Sequence, residues 1–335
     1  MDKFRTIVEF PGSGEKIGYN SRCLFMGSCF TDEIGGRMLS HKFPVMINPF
    51  GTLFNPASIC DNLEMLIEGK VFSKDDLFMH NGMWFSFSHY TGFDRQDQQE
   101  CLSIVNKSLQ DASSWIRQCN YILITLGTAW TFIYNATGKL VANCHKLPSA
   151  DFTRKLLDPE EICERVDHLL TALKKINPGA RIIFTVSPVR HLKDGAVNNQ
   201  LSKSILLLSI HRLMKKHSTV TYFPAYEIFM DELRDYRFYA SDMLHPSETG
   251  SSYVWERFCD SWLDEASKNI MAGVTAVLKA FAHRPGQTDL PNLKRFSENL
   301  LKQIDQLTLS NPNLDFSPEI AVLRERLAKM QLQGN

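Results

Sequence analysis

The sequence predicts an α/β protein in which a mostly parallel, five-stranded sheet is the middle layer of a three-layer α/β/α sandwich. Five short, nearly continuous apolar runs are each followed within a few residues by Gly or Pro, as is typical of buried strands of a parallel sheet. Helix-like stretches alternate with these runs, which favours a doubly wound domain. The predicted strands are Cys23–Gly27, 43–47, Tyr121–Leu126, Arg181–Val186 and 219–223.

The helices between these strands are predicted from capping residues and from the spacing of apolar side chains. The stretch 55–68 begins with an Asn cap and has Pro at the first helical position, a combination that is typical of helix starts. The stretches 158–177 and 198–216 carry apolar residues at helical spacing. The chain that follows Ser28 also has a helical pattern.

Two segments interrupt the alternation and are predicted as β-hairpins. Residues 77–87 place an Asn-Gly turn between aromatic flanks, and residues 130–143 turn at 135–138. We expect both hairpins at the sheet edge or over the carboxyl ends of the strands, where they would form walls of a cleft. The chain then becomes helical. We therefore divide it into a domain at 1–262 and a helical C-terminal extension at 263–335, which packs on the core or serves self-association.

The composition excludes several classes of function. Of 335 residues, 37 are Lys or Arg and 37 are Asp or Glu, so the formal net charge is zero and a nucleic-acid partner is not expected. No window approaches about 18 uninterrupted apolar residues, so no membrane span is expected. The charged N-terminus lacks the apolar stretch of a signal peptide, and the eight cysteines form no CxxC pair. Both features predict a cytoplasmic protein with reduced thiols.

Chemically active side chains lie in two distant stretches of the chain. Ser28 and Cys29 follow the first predicted strand, at the start of a helix. Asp242 and His245 are three residues apart in "SDMLHPSETG", just before another helix. A carboxylate on one ring nitrogen fixes the imidazole tautomer, so that the other nitrogen can accept a proton from a nucleophile. This spacing alone is also compatible with a capped surface turn.

The order of these blocks resembles the SGNH (GDSL-type) hydrolase superfamily, and more narrowly the GSCFA family. The blocks that carry the resemblance are "MGSCFTDEIGGRM", "NPFGTLFNP", "LGTAW", "SPVRHLKDG" and "DELRDYRFYASDMLHPS", within roughly residues 20–260. The resemblance implies a flavodoxin-like three-layer fold. It also implies an esterase or acyltransferase, with an O-acetylated carbohydrate or another small acylated metabolite as substrate.

The resemblance assigns roles to the four polar residues one position at a time. On the Gly-Asp-Ser-Leu block of the superfamily, Cys29 takes the place of the nucleophilic serine and Ser28 that of the aspartate; Ser28 is kept as the alternative nucleophile. Asp242 and His245 take the places of the orienting acid and the base. His245 is then expected within hydrogen-bond reach of the Cys29 sulfur. A thiol at a helix N-terminus beside an imidazole is expected to have a lowered pKa.

The same resemblance implies an oxyanion hole that departs from the superfamily pattern. Gly51 and Gly127 match the glycines of the second and third blocks, and their backbone N–H groups are expected to face a developing oxyanion. Ala129 stands where the superfamily has Asn, so a side-chain donor is missing. Either the hydroxyl of Thr128 compensates, or the hole consists of backbone N–H groups, that of Cys29 included.

Further residues complete the predicted site. Arg190 and His191 follow the fourth strand and are predicted to line the cleft and contact the substrate. No His, Cys and Asp cluster has metal-ligand spacing, and neither GxGxxG nor a P-loop is present, so no metal and no nucleotide cofactor are predicted. The expected partner is a small-molecule or carbohydrate ester. A non-catalytic ligand-binding protein on the same scaffold is the alternative.

Overall fold

The computed structural model describes residues 5–12, 14–282 and 290–333. The strands within these residues are β1 Cys23–Gly27, β2 Val45–Ile47, β3 Phe78–His80, β4 Met83–Phe85, β5 Tyr121–Leu126, β6 Trp130–Tyr134, β7 Lys139–Val141, β8 Phe152–Leu156, β9 Arg181–Val186 and β10 Val220–Tyr222. The central sheet has the order β10-β9-β5-β1-β2, and all its pairs are parallel. The five predicted strands are therefore confirmed, two of them shorter than predicted.

The helices begin close to the predicted positions. Those within the described residues are α1 Cys29–Ser40, α2 Pro56–Glu68, α3 Gln98–Ile116, α4 Pro159–Ile176, α5 Gly195–Lys216, the single turn α6 Ala225–Glu227, α7 Glu248–Trp262, α8 Glu265–Ala282, α9 Leu290–Ser310 and α10 Ser317–Gln333. Asn55 caps α2 by accepting a hydrogen bond from the Ser58 N–H at 2.8 Å. Helix α3 was not predicted from the sequence.

The two faces of the sheet pack against different helices, because successive residues of a strand point to opposite faces. Leu24 and Met26 of β1 belong to a core formed with α2, α3, α4 and α5. Cys23 and Phe25 belong to a second core formed with α1, α7 and the C-terminal helices. This arrangement confirms the predicted three-layer α/β/α fold.

Both predicted hairpins are present, and they pack against each other. Asn81 and Gly82 have positive φ angles, as a two-residue hairpin turn requires. In the second hairpin, β6 pairs with β7 on one side and with β8 on the other. Aromatic side chains from these segments form a third, small core that contains Phe78, Phe85, Phe87, Phe132, Tyr134 and Phe152. Most of the hairpin aromatics therefore stabilise the hairpins themselves.

The C-terminal helices pack on the sheet domain. Leu300 and Leu323 are buried in the same core as Phe25 of β1. Lys42, just after α1, forms a 2.7 Å ion pair with Glu319 of α10. Residues 283–289 and 334–335 of the predicted extension lie outside the described residues. A search of the described helices for a bilayer-spanning apolar segment finds none.

Candidate active site

The carboxyl ends of β1, β5 and β9 meet at one edge of the sheet, and the loops after them carry predicted site residues. The pairs 28–29, 127–128 and 190–191 follow these three strands in that order. In open α/β sheets, ligands bind at this edge. The parallel topology therefore brings together residues that are far apart in the chain.

Gly27 makes the sharp turn between β1 and α1. Its φ angle is +142°, and a Cβ at this position would lie 2.2 Å from the carbonyl oxygen of Thr125. Glycine alone has no Cβ to clash there. The Gly27 N–H donates to Asn48 Oδ1 at 2.9 Å, which ties the turn to the loop after β2. This turn decides which of the next two side chains reaches the surface.

Ser28 and Cys29 differ in their accessibility. Ser28 is 1% exposed, and its hydroxyl has no hydrogen-bond partner among the described residues. Cys29 is partly exposed and is the first residue of α1. Because a nucleophile has to reach its substrate, this geometry favours Cys29.

The pKa of the Cys29 thiol is raised, which corrects the expectation of a lowered value. Burial is the largest cause, and the nearby Asp32 carboxylate adds to it. The N–H groups of Cys29 and Phe30 and the ammonium of Lys203 act in the opposite direction, but they do not outweigh burial. The resting side chain is therefore a thiol, and its chemistry requires a base.

Lys203 of α5 is a charged residue of this site that was not predicted from the sequence. Its side chain is fully buried, and its ammonium donates to the carbonyl oxygens of Gly127 and Ser187, both at 2.7 Å. Burial lowers the pKa of Lys203 to about 7. The sequence did contain a signal, because Lys203 is in helical phase with the buried Leu206 and Ile210.

Asp242 and His245 form a hydrogen-bonded pair in the loop before α7. Nδ1 of His245 lies 2.6 Å from Oδ2 of Asp242. Oδ1 of Asp242 accepts the backbone N–H groups of His245 and Leu244 at 3.0 and 2.9 Å. These backbone bonds are the main reason why the pKa of Asp242 falls to about 2. The ionised carboxylate holds the proton of the neutral imidazole on Nδ1, so Nε2 is the basic nitrogen.

The Asp242–His245 loop is connected to α1 through the helix that follows it. Glu248, the first residue of α7, forms a 2.7 Å ion pair with Arg37 of α1. Within the described part of the chain, no hydrogen bond joins His245 to the Cys29 thiol. The direct contact implied by the resemblance is therefore not formed in this structure. Catalytic hydrogen bonds of this kind often form only when substrate is bound.

His191 lies between the two parts of the site. Its pKa is lowered to about 4, mainly by burial and also by the charges of Lys203 and His245, which outweigh the opposing effect of Asp194. The ring is therefore neutral at physiological pH. Its Nε2 is buried and has no partner among the described residues. A Cβ at Gly127 would lie 3.2 Å from this nitrogen. His191 thus keeps one unused hydrogen-bonding atom at the edge of the sheet.

Gly51 and Gly127 do not offer the free N–H groups that the resemblance implies. The Gly51 N–H donates to the carbonyl of Asn48 at 2.7 Å, and the Gly127 N–H donates to that of Phe54 at 2.8 Å. A Cβ at Gly51, whose φ is +76°, would lie 2.3 Å from Cβ of Tyr90. These glycines therefore allow the loops to approach each other, and their N–H groups are used in doing so.

The hydroxyl of Thr128 is also engaged, with a residue of α5 and with its own loop, which corrects its expected role as a replacement donor. It shares a 3.0 Å hydrogen bond with the hydroxyl of Ser202 and accepts the Trp130 N–H at 3.1 Å. The Ala129 N–H donates to the same Ser202 oxygen at 2.7 Å. These bonds stabilise the path of the chain between β5 and β6.

The site combines a thiol with cationic and neutral nitrogen groups. Arg190 lies on the wall of a cavity beside the Asp242–His245 loop, and Lys203 lies under the strand ends. No set of three or more His, Cys, Asp or Glu side chains in residues 5–12, 14–282 and 290–333 is arranged to hold a metal ion. The chemistry available from these residues is nucleophilic attack with acid–base assistance.

The fold is a three-layer α/β sandwich with a partly exposed thiol at the carboxyl end of β1 and a hydrogen-bonded Asp242–His245 pair in the loop before α7. The sequence profile of the GSCFA family matches residues 22–258, and the chain belongs to this family. The profile of the GSCFA domain protein, C-terminal domain, matches residues 274–329.

Comparison with individual proteins adds little. No curated protein matches the chain. Among solved structures, an acetyl xylan esterase from the rumen bacterium Butyrivibrio proteoclasticus is similar, with 14% sequence identity and a TM-score of 0.37. The similarity covers 72% of this chain and 63% of that chain, which is less than two thirds of its length.

Proposed function

We propose that the protein is a thiol-dependent acyl hydrolase or acyltransferase that acts on an ester. The observation that carries the proposal is the pair Asp242–His245, in which the ionised carboxylate leaves Nε2 as a base. Cys29, at the carboxyl end of β1, supplies an accessible nucleophile. An O-acetylated carbohydrate or another small acylated metabolite is the proposed substrate class.

In the proposed reaction, Cys29 Sγ attacks the acyl carbonyl carbon, and the thiol proton passes to Nε2 of His245. The tetrahedral intermediate collapses by cleavage of the C–O bond, and His245 returns the proton to the leaving alcohol. Water or an acceptor hydroxyl, deprotonated by His245, then attacks the thioester carbonyl carbon. The C–S bond breaks, the acyl group leaves as the acid or the new ester, and His245 returns the proton to Cys29 Sγ. Asp242 stabilises the imidazolium in both halves of the reaction.

The raised pKa of the Cys29 thiol makes the base indispensable. Because no hydrogen bond joins the thiol to His245 in this structure, substrate binding has to bring the two groups within reach. Lys203 supports the thiolate once it has formed, since its positive charge lowers the pKa of Cys29. The pKa of Lys203 is about 7, so this support declines as the pH rises above neutrality.

The developing oxyanion needs donors other than the N–H groups of Gly51 and Gly127. The N–H groups of Cys29 and Phe30, in the first turn of α1, point towards the thiol and carry the positive end of the helix dipole. A neutral His191 with its proton on Nε2 adds a side-chain donor. Donors of this kind are typically worth two to three orders of magnitude in rate each, or ~3–4 kcal/mol.

Two alternatives to this proposal are Ser28 as the nucleophile and a ligand-binding protein without catalytic activity. Ser28 occupies the neighbouring position, but its nearly complete burial argues against it as the nucleophile. The absence of a thiol–imidazole hydrogen bond and the raised thiol pKa favour a non-catalytic ligand-binding protein. Treatment with an activated ester distinguishes them, because the three hypotheses differ in which residue, if any, gains the acyl group.

Mass spectrometry of the intact protein after incubation with p-nitrophenyl acetate and longer activated esters tests the proposal. The wild-type protein is expected to gain one acyl group at Cys29, and Cys29→Ala is expected to gain none. Cys144→Ala is the matched control, because Cys144 is also a partly exposed free thiol and burial raises its pKa to about 11. Cys144→Ala should gain one acyl group at Cys29, as the wild type does.

Other outcomes of this experiment point elsewhere. An acyl group that maps to Ser28 and is lost only in Ser28→Ala would reassign the nucleophile. Acylation at Cys29 that is equally fast in His245→Ala would contradict the role of the base. A wild-type protein that gains no acyl group from any ester would support the ligand-binding alternative.

A further inference from the structure

A cavity of about 350 Å³ lies directly beside the proposed catalytic pair. Met243 and Leu244, the two residues between Asp242 and His245, form part of its wall. The rings of Tyr236 and Tyr239 also line the cavity. Its size is at the lower end of the range for small-molecule sites, so it suits one group of a substrate.

Arg190 contributes an unpaired guanidinium to this cavity. Its Nε is buried and has no hydrogen-bond partner among the described residues. Its Nη2 donates to the thioether sulfur of Met230 at 3.2 Å and to no other acceptor in the described chain, and thioethers are weak acceptors. An arginine side chain has five N–H donors, and leaving them unsatisfied in a partly buried position costs free energy. The donors of Arg190 are therefore available to a ligand.

The neighbouring carboxylates do not neutralise Arg190. Asp231 accepts a hydrogen bond from Arg234 at 2.8 Å. Asp235 accepts the backbone N–H of Arg237 at 2.9 Å and lies near its guanidinium. Over the described portions of the chain, no carboxylate lies within ion-pair distance of Arg190.

The charge of Arg190 also acts on two titratable side chains, the buried Lys203 and the cavity-lining Tyr239. Burial lowers the pKa of Lys203, and Arg190 lowers it further. Burial raises the pKa of Tyr239, and Arg190 opposes this rise. Two cationic side chains thus influence the same region, and a negatively charged ligand group would relieve their repulsion.

We propose that this cavity binds a carboxylate or phosphate group of the substrate through Arg190, with the rings of Tyr236 and Tyr239 against the adjoining carbon skeleton. Guanidinium presents two parallel N–H groups that match two oxygens of such an anion. The inference rests on the proposed function, because the wall of the cavity is the Asp242–His245 loop. It narrows the substrate to an ester that also carries an anionic group.

Calorimetric titration of the full-length wild-type protein with succinate and glycerol 3-phosphate tests this inference. Succinamide and glycerol serve as the uncharged counterparts. We expect the wild type to bind both anions and neither uncharged molecule. Arg190→Gln should bind the anions at least tenfold more weakly, and Arg190→Lys should fall between, because it keeps the charge but loses the planar fork.

Arg234→Gln is the matched control for the loss of a positive charge. Arg234 lines the same cavity, but its guanidinium is already bonded to Asp231, so this variant should bind the anions as the wild type does. Equal loss of affinity in Arg190→Gln and Arg234→Gln would indicate an unspecific charge effect and overturn the inference.

Two further outcomes would also overturn it: unchanged affinity in Arg190→Gln, and no binding of either anion by the wild type. If Arg190→Gln does not fold, as judged by its melting temperature, Arg190→Lys decides, and wild-type affinity in that variant would overturn the inference. Neither probe contains an acyl ester, so neither can acylate Cys29. The two proposals can therefore fail separately. If the anions bind through Arg190 but no ester acylates Cys29, the anion subsite stands and the proposed reaction is wrong.

Discussion

The buried ammonium of Lys203 should make the stability of this protein depend on pH in a characteristic way. Its side chain is fully buried, and burial lowers its pKa from the ordinary 10.5 to about 7. Below pH 7, Lys203 is protonated in both the folded and the unfolded chain, so the folded state bears the full cost of burying the charge. Above pH 10.5 the group is neutral in both states, and this cost is absent.

The size of the effect follows from these two values. At 1.36 kcal/mol per pKa unit, a change from 10.5 to about 7 corresponds to about 5 kcal/mol. Of this, ~3–4 kcal/mol develops between pH 7 and pH 10, because titration is incomplete at both ends of that range. The free energy of unfolding of the wild type should therefore rise by this amount between pH 7 and pH 10 because of Lys203. Lys203→Met should lack this rise.

Urea unfolding of both proteins at pH 7, 8, 9 and 10, followed by tryptophan fluorescence, measures this difference. Both proteins carry Cys29→Ala, because Lys203 changes the pKa of that thiol. The remaining thiols and phenols that titrate in the same range are common to both proteins and cancel when the variant is subtracted. The loss of the hydrogen bonds to Gly127 and Ser187 changes the offset but not the slope. Lys215→Met, at an exposed position of the same helix, is the control and should parallel the wild type.

Parallel pH profiles of the wild type and Lys203→Met would refute this reasoning. They would mean that the amine keeps its ordinary pKa in the folded protein, and that the two carbonyl oxygens fully compensate the burial of its charge. The proposed decline of thiolate support above neutral pH would then also be wrong.

Three further predictions concern the site. Asp242→Asn should reduce the rate of Cys29 acylation by ~10²–10⁴-fold, measured by mass spectrometry over time, because the imidazole loses its orienting carboxylate; an unchanged rate would exclude the proposed pair. Alkylation of Cys29 by iodoacetamide should have its midpoint above pH 9, the ordinary thiol value, and a midpoint below it would contradict the effect of burial. Gly27→Ala should lower the free energy of unfolding, measured in urea, by ~3 kcal/mol or more, because the added Cβ would overlap the Thr125 carbonyl. Gly36→Ala is the control: its added Cβ meets nothing within 4 Å, so it should raise the free energy of unfolding by ~1 kcal/mol.

The accuracy of the fold prediction followed from the strength of each local pattern. The strand Tyr121–Leu126 is fully buried, so every residue of it is apolar or Thr and its limits are visible in the sequence. β8 was missed because its three central residues are exposed, and its pairing with β6 depends on tertiary structure. α3 was missed although Asp97 caps it and buried residues recur at helical spacing along it.

The chemistry of the site was predictable only in part. The types of the side chains and the spacing of Asp242 and His245 are local properties, and their hydrogen bond forms within one loop. The direction of the Cys29 pKa was predicted wrongly, because the helix dipole is a local effect whereas burial depends on the whole fold. The N–H groups of Gly51 and Gly127 were predicted to donate to an oxyanion. In the structure they donate to backbone carbonyl groups, and these hydrogen bonds could not be read from the sequence.

By itself, the sequence determined the parallel sheet, the alternation of helices and the chemical types of the candidate nucleophile, acid and base, because these properties depend on apolar periodicity and on local spacing. Only the tertiary structure decided that Ser28 is buried while Cys29 is accessible, and that Lys203 lies beneath the strand ends. It also decided that Arg190, on the wall of a cavity, has no ion-pair partner among the described residues. Burial and hydrogen-bond partners come from segments far apart in the chain, and these set the charge and reactivity of each side chain.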